Sequence, residues 1–515
     1  MGLAPAIPAW DEGRVKLDRE QDREVLRQAA MILEKENRRL VGENVALQRR
    51  VLALEGKSPE ELQSHLAVLE EQLAVLRNRM FGPSSEKRPV PAEPPRDRAV
   101  QKGHGPREQP QLPIRDVIHV LDEADLACPS CGGQLEEWKG QHEESEEIDV
   151  IERQFVLRKH HRQKYRCACN GHVETAPGPL KLFPGARYSI DFAIEVAGDK
   201  YLDHAPLERQ VRKMAREGLI VDSQTLWDMI ERLARILKDL PEAIAKHVLS
   251  SPVIGADETR WRLLDGRGRD AGEATNWQAW AVSCPTAIAY RIQDSRSAEA
   301  AKAVFGDFAG IAMTDGYGAY QALRKQGGKF RLAHCWAHVR RKFEEVESFF
   351  PAQCREILDL IGEIYAVEKC CPTGPPGHEL RRKLRNERSR EILARIHKWA
   401  LETRALPEGG LGKAIAYMSG LWPGLTVFLA DPRVPVDNNA TERGLRGLVV
   451  GRKNHYGSKS RRGTEVAALY YTIFETAKLA GIDPKAYLRA VVPALLMGAK
   501  VRLPHEVAAA VAAPA

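Results

Sequence analysis

The sequence has no run of eighteen apolar residues, which excludes a membrane-spanning helix of the usual length. Its first residues, MGLAPAIPAWDEGRVK, have no basic start followed by an apolar stretch, so no secretory signal is expected. Regular cysteine pairing is missing as well. The nine cysteines are an odd number and several stand alone, which suits a reducing cytoplasm better than a disulfide framework. A strong charge imbalance is also lacking, since 77 basic and 70 acidic side chains leave a net charge of only +7 over 515 residues. The information therefore lies in the distribution: acids gather near 133–149 and cations in local runs. With 43% apolar residues the chain is long enough to bury several cores.

Leu26, Leu33, Leu40, Leu47 and Leu54 recur at heptad spacing. Taking them as d positions puts Ala30, Asn37, Asn44 and Val51 at a, the pattern of a parallel two-stranded coiled coil whose asparagines fix register. After GKSPEE, Leu62, Leu66, Leu69, Leu73, Leu76 and Met80 resume a four-three spacing. Residues 19–81 are therefore expected to self-associate as a homodimer or higher oligomer. Eight prolines between Gly82 and Pro113, with little apolar periodicity, mark 82–118 as an extended linker.

Cys128-Pro-Ser-Cys131-Gly-Gly and Tyr165-Arg-Cys167-Ala-Cys169 can place four thiolates around one structural zinc ion. The strand-like alternation between the pairs predicts a zinc ribbon over 119–185. The tight CxC pair leaves His172 as an alternative to Cys169 for the fourth ligand. The basic run 158–164 fits either a phosphate backbone or a solvated strand face. Within 186–245, Leu207, Val211 and Met214 form one helix face, which Gly218 would end. Asp222 or Ser223 would cap a second helix whose face is Leu226, Ile230, Leu233 and Leu237. Such a pair suits a helix-turn-helix with Ser223, Gln224 and Thr225 at the start of the reading helix, and it equally suits an ordinary helical hairpin.

From 246 to 350 the texture becomes α/β. Three strands are expected in VIGADETRWRLL, NWQAWAVSC and AIAYRIQD. A helix follows from Ala298, then a strand in GIAMTDG, a helix in YGAYQALRKQ and a fifth strand in FRLAHCW. That order is the order of a ribonuclease-H-like fold. Asp257 then falls on the first strand and Asp315 at the end of the fourth, where two carboxylates can meet and hold Mg²⁺. Two such ions can assist phosphodiester displacement. Residues 351–430 read as a helical insertion, with apolar faces at Ile357, Ile361 and Ile364, at Leu393, Ile396 and Trp399, and at Ile415, Met418, Leu421 and Trp422. The core resumes over 431–498, before a tail of 499–515. There Glu442 sits on a helix that Asp437 or an adjacent asparagine could cap, amid the cations Arg443, Arg446, Arg452 and Lys453.

Taken in order, RMFGPSSEK, CPSCGG, DHAPLERQ, ADETRW, TDGYGAY, HCWAHVRRKF, DNNATERGLRGLVVGRKNHYGS and DPKAYL resemble the transposases of insertion-sequence family sixty-six, over nearly the whole chain. The family often has tryptophan where His455 stands, and the CxC pair is another departure. The resemblance implies a DDE enzyme that cleaves the ends of a mobile element and joins them to target DNA. Asp257, Asp315 and Glu442 would be the metal-binding acids for two Mg²⁺ (or Mn²⁺) ions. Contacts to terminal inverted repeats would come from the zinc ribbon and from Ser223, Gln224 and Thr225, and phosphate contacts from Arg443, Arg446, Arg452 and Lys453. Cys335 and His338, a CxxH pair that recurs in related enzymes, would pack or hydrogen-bond near the active edge. A cytoplasmic, nucleoid-associated protein aided by two small accessory proteins is the implied setting. A non-catalytic DNA-binding regulator and a structure-specific nuclease of the same fold are the competing readings.

Overall fold

The computed structural model describes residues 39, 42, 154–166, 172–264 and 275–512. Arg39 and Gly42 are helical, while the rest of the heptad region, the linker and Cys128, Cys131, Cys167 and Cys169 lie outside the described residues. The first strands, β1 (Lys164–Arg166) and β2 (Val173–Thr175), form a small antiparallel pair with Lys164 opposite Thr175.

Four helices follow: α1 (Ile190–Tyr201), α2 (Leu207–Arg216), α3 (Ser223–Ile236) and α4 (Leu240–Leu249). Ser189 caps α1 and Asp222 caps α3, each accepting a first-turn backbone N–H. Gly218 ends α2 in the left-handed region at φ 84°, and Leu219 N–H returns to Met214 O, a Schellman-type stop. Leu226, Ile230, Leu233 and Leu237 are fully buried, as their spacing predicts.

The sheet comprises β3 (Val253–Leu263), β4 (Thr275–Cys284), β5 (Ala287–Gln293), β6 (Ile311–Thr314) and β7 (Arg331–His334), in the order β5-β4-β3-β6-β7. The first three strands form an antiparallel meander. The chain then crosses through α5 (Ala298–Phe305) to bring β6 beside β3 in parallel, and through α6 (Gly318–Lys325) to bring β7 beside β6. Because β6 pairs only with Val253, Ile254 and Gly255, the rest of the long β3 has no strand on that side among the described residues.

A helical block follows, made of α7 (Trp336–Glu344), α8 (Pro351–Lys369), α9 (His378–Leu384), α10 (Arg390–Glu402) and α11 (Gly410–Leu425). Its core joins Trp336, Phe343, Ile361, Ile396 and Met418 to Val253 and Met313 of the sheet, so block and sheet share one apolar interior. Three further helices are α12 (Asn439–His455), α13 (Arg461–Leu479) and α14 (Pro484–Leu496), and α15 (Pro504–Ala512) closes the described chain. The outer edge of β5 is covered by α13. Thr476 Oγ1 accepts from Ile288 N (3.1 Å) and donates to Ile288 O (2.9 Å), and one turn earlier Thr472 accepts from Tyr290 N (3.0 Å). An edge that would otherwise pair with another chain is thereby satisfied. No described helix is long and apolar enough to cross a membrane.

Within the helical block, Arg385 is 1% exposed and opens a π-helical turn, Arg385–Ser389. It grips both oxygens of Glu368 and donates to the carbonyls of Phe428, Asp431 and Val434. Arg385→Met would remove the side-chain donor from the carbonyls of Phe428 and Val434, leave Asp431 O with Val434 N–H alone and leave Glu368 with Arg381 alone. The expected cost is about 3–5 kcal/mol. A urea midpoint unchanged by this substitution would show that the cluster carries no stability.

Candidate active site

Asp257 lies in the middle of β3, opposite Ala281 of β4. The β3–β6 register pairs Val253 with Ile311 and Gly255 with Met313. Continued by two residues, it places Asp257 beside Asp315, at an inter-strand spacing of about 4.8 Å. There β6 ends. Gly316 turns the chain away at φ 90°, a conformation that favours glycine. Tyr317 N–H donates to Asp315 Oδ1 (2.8 Å), and Tyr417 of α11 donates to Asp315 O (2.7 Å), fixing this acid from two sides.

Glu442 arrives on the first turn of α12, where Asn438 makes no side-chain cap bond and instead ties the helix start to the sheet. Asn438, 2% exposed, donates from its side-chain amide to Ala256 O (2.9 Å) and from its backbone to Cys335 Sγ (3.2 Å). Thr441 Oγ1 meets Ser283 Oγ at 2.8 Å. Gly255 lets this happen, because a Cβ there would collide with Thr441 Oγ1. Asp437 Oδ1 accepts from Asn439 N–H (3.1 Å), so the acid braces the helix start while Asn438 serves as anchor. Further along α12, Gly444, Gly447 and Gly451 face Ile288, Glu475 and Tyr471 at distances that leave no room for a side chain.

Burial pushes the Asp257 carboxyl up to about 8, and the like charges of Glu258, Asp315 and Glu442 push the same way, against a hydrogen bond from Glu258 N–H. Among the described residues no lysine or arginine forms an ion pair with Asp257, Asp315 or Glu442. Glu442 Oε1 is buried with no hydrogen-bond partner and faces His338 Nδ1, itself unpartnered, at 3.7 Å. Ligand atoms of Cys335, His338 and Glu442 lie within 4.8 Å of one another, whereas the three acids do not converge that closely. Cys335 is held as a neutral thiol: burial pushes it up to about 12 and it already accepts from Asn438 N–H. The oxygen donors of Asp257, Asp315 and Glu442, unneutralised and partly desolvated, fit a hard divalent cation.

Glu258 follows Asp257 on the strand and points to the opposite face. Its side chain, 1% exposed, accepts from Arg296 Nε (3.1 Å) and from Tyr320 OH (2.7 Å). The Arg296 guanidinium lies 3.8 Å over the Tyr317 ring, so this group braces the loop carrying Asp315 against the strand carrying Asp257. Ser223, Gln224 and Thr225 open α3, where Gln224 is exposed and bonded to Asp228 (2.8 Å). Arg443, Arg446 and Lys453 are exposed on α12, whereas Arg452 is half-buried against β3. His172 is exposed and bonded to Glu174 (3.0 Å). His455, in contrast, is packed between Tyr201 and Trp261, and burial holds it near 4 and neutral.

Asp257 binds its proton more tightly folded than unfolded. Its contribution to stability is therefore complete below its unfolded value of 3.8 and is lost as pH rises through about 8. After chelation of metals, the wild-type chain should lose on the order of 4 kcal/mol of this contribution between about pH 5 and about pH 8.5. Asp257→Asn should flatten the loss. Urea midpoints at about pH 5 and about pH 8.5 measure it, and equal losses in both proteins would contradict the assignment.

Comparison with known proteins follows the same lines. Residues 185–466 match the profile described as "Transposase IS66 family", and residues 125–170 match "zinc-finger binding domain of transposase IS66". The second match supports a structural zinc site in the segment that holds Cys128, Cys131, Cys167 and Cys169. Among curated relatives, y4jD of Sinorhizobium fredii is 31% identical over 402 residues, covering 75% of this chain and 78% of its own. From the same organism, y4hP is 27% identical, with 72% and 70% covered, and y4qI is 28% identical, with 83% and 78% covered. Matched through more than half its length, including every strand of the sheet and the helix that carries Glu442, the chain belongs to the IS66 family of transposases.

Proposed function

We propose that the chain is a DDE transposase whose ribonuclease-H-like core cleaves the terminal inverted repeats of its element and joins the ends to target DNA. What supports this reading is Asp257 in mid-β3 and Asp315 just past the end of the parallel strand β6, with Glu442 on the first turn of α12 near enough to raise the Asp257 carboxyl, and with no lysine or arginine among the described residues paired to any of the three. The sheet order, three antiparallel strands followed by two parallel ones reached through helices, supports the same assignment.

In this reading Asp257, Asp315 and Glu442 would hold two Mg²⁺ (or Mn²⁺) ions. Bound there, such ions supply Lewis-acid activation of the attacking oxygen and stabilisation of the departing one. The chain's own residues do the positioning. Tyr317 and Tyr417 fix Asp315, Asn438 and Thr441 fix the start of α12, and His338 faces Glu442 Oε1. Water attacks the phosphorus at the element's end, breaking the P–O3′ bond and leaving a 3′-hydroxyl. That hydroxyl then attacks a target phosphorus, forming a new P–O3′ bond and releasing a target 3′-hydroxyl.

Arg443, Arg446, Arg452 and Lys453 hold DNA phosphates, and Ser223, Gln224 and Thr225 read bases at the start of α3. The zinc ribbon adds contacts to the terminal repeats, the N-terminal heptads join protomers so that two ends are cut together, and two small accessory proteins of the same element assist.

The test uses duplexes carrying the inverted repeats that flank the gene. Asp257→Asn, Asp315→Asn and Glu442→Gln should each lower metal-dependent cleavage and strand transfer at least about a thousand-fold. End binding in a gel-shift assay should change little. Arg446→Ala should instead weaken binding and reduce the salt slope by about 0.9. A cleavage-competent Asp257→Asn enzyme would overturn the reading, and cleavage without joining would favour a nuclease of the same fold.

A further inference from the structure

Past Asp257, β3 continues as an exposed ribbon. Arg260 and Arg262 project into solvent while Trp261 and Leu263 are buried on the other face. Along the strand's unpaired edge, Arg452 of α12 donates from Nη1 to Arg260 O and to Thr259 Oγ1 (3.3 Å). Five residues later, Gly457 comes down on Arg262 O. Ser458 N–H donates to that same carbonyl (3.0 Å), and Ser458 O accepts from Leu264 N–H (2.7 Å). Three guanidinium groups are thus gathered by backbone contacts, not by carboxylates. None of the three has an ion-pair partner among the described residues. Burial, and then the charges of Arg262 and Arg260, hold the Arg452 guanidinium below its usual range, consistent with crowding of like charge.

Tyr456 stands on the segment that runs along this edge of β3. It is 65% exposed, and its backbone is left-handed at φ 60°. A bulky side chain adopts that region at a cost that glycine would avoid, and strain of this kind concentrates at functional positions. The turn around it is fixed from beneath, since His455 Nδ1 lies 3.1 Å from Gly457 O and the ring packs on Trp261. The tyrosine ring faces solvent, between the exposed Lys453 and Lys459.

We propose that Tyr456 is a stacking platform for an unpaired DNA base, with Arg260, Arg262 and Arg452 holding the phosphates on either side of it. Aromatic rings in a cationic groove bind single strands in this way, because every base has a π face and every nucleotide a phosphate. The proposal rests on the strand-transfer reading and adds to it the class of DNA taken at this end of the site. Both β3 and α12 run outward from the acids. Arg262 lies about 17 Å along the strand from Asp257, and Tyr456 about 21 Å along the helix from Glu442. At about 3.4 Å per stacked nucleotide, the platform meets a base roughly five or six nucleotides from the scissile phosphate. An end opened over that length would be held apart from its complement.

The test is fluorescence anisotropy with the full-length protein in EDTA, using a single-stranded oligo-dT of about twenty nucleotides and a blunt mixed-sequence duplex of the same length. Tyr456→Ala should weaken oligo-dT binding about ten-fold and duplex binding less than about two-fold. Tyr456→Trp should restore the single-strand affinity. Tyr456→Gly should lose it like the alanine variant while melting at or above the wild-type temperature, which separates a lost contact from a damaged fold. Arg262→Gln should flatten the salt dependence of oligo-dT binding by about 0.7. Equal weakening on both probes, or none on either, would overturn the platform. Metal-dependent cleavage of the inverted-repeat duplex by the wild type then tells the two readings apart. Its absence alongside a Tyr456-dependent preference for single strands sinks only the strand-transfer reading, and its presence without that preference sinks only the platform.

Discussion

Mutual repulsion among carboxylates is the constraint around which this end of the molecule is arranged. Asp257, Asp315, Glu442 and Glu258 are brought to adjoining positions, and burial raises the cost of charge on Asp257 and Glu258. Only Glu258 receives a guanidinium and a phenol. The other three are held in place by groups that leave the charge standing, including backbone amides, a tyrosine hydroxyl on a carbonyl, and a helix start tied to the sheet by an asparagine. Such an arrangement costs folding stability and gains affinity for a cation that arrives with its own charge.

Helix α12 carries much of that construction. Its first turn is locked to β3 and β4 through Asn438 and Thr441, and its glycines at 444, 447 and 451 let it lie close to β5 and α13. Glycine lowers helix propensity, yet here each one marks a place where a neighbouring side chain already fills the space. The far end of the same helix closes over the edge of β3 that β6 leaves uncovered, and there the charge changes sign. One rigid element thus spans an acidic end and a cationic end, which suits a substrate whose backbone must be held along its length while one phosphate reacts.

Much of this was legible in the sequence because it rests on periodicity. The five strands and the helices between them fall where alternation and spacing place them, and Asp257 and Asp315 stand out as acids at the middle and end of apolar strands. Gly218 and Asp222 announce the α2–α3 turn by their chemistry alone. What the sequence did not reveal depends on residues meeting across long separations. Nothing local marks Asn438 as an anchor for Ala256, Gly255 as the gap that admits Thr441, or Arg260 and Arg262 as neighbours of Arg452. Glu258 was hidden by its position next to Asp257, since only the alternation of a strand shows that the two acids face opposite ways. His455 stands where the resembled family often has tryptophan, and packing against Tyr201 and Trp261 makes it a neutral packing group.

The account stands or falls on whether β3, the end of β6 and the start of α12 share one metal site. Replacing Mg²⁺ by Fe²⁺ in the presence of ascorbate cuts a polypeptide backbone next to the bound ion, and the fragments can be mapped by mass. The account predicts cuts near Asp257, near Asp315 and near Glu442 in the same sample, suppressed together by excess Mg²⁺ and by Glu442→Gln. Cuts confined to the Cys335–His338 segment and Glu442, with β3 and β6 intact, would contradict it.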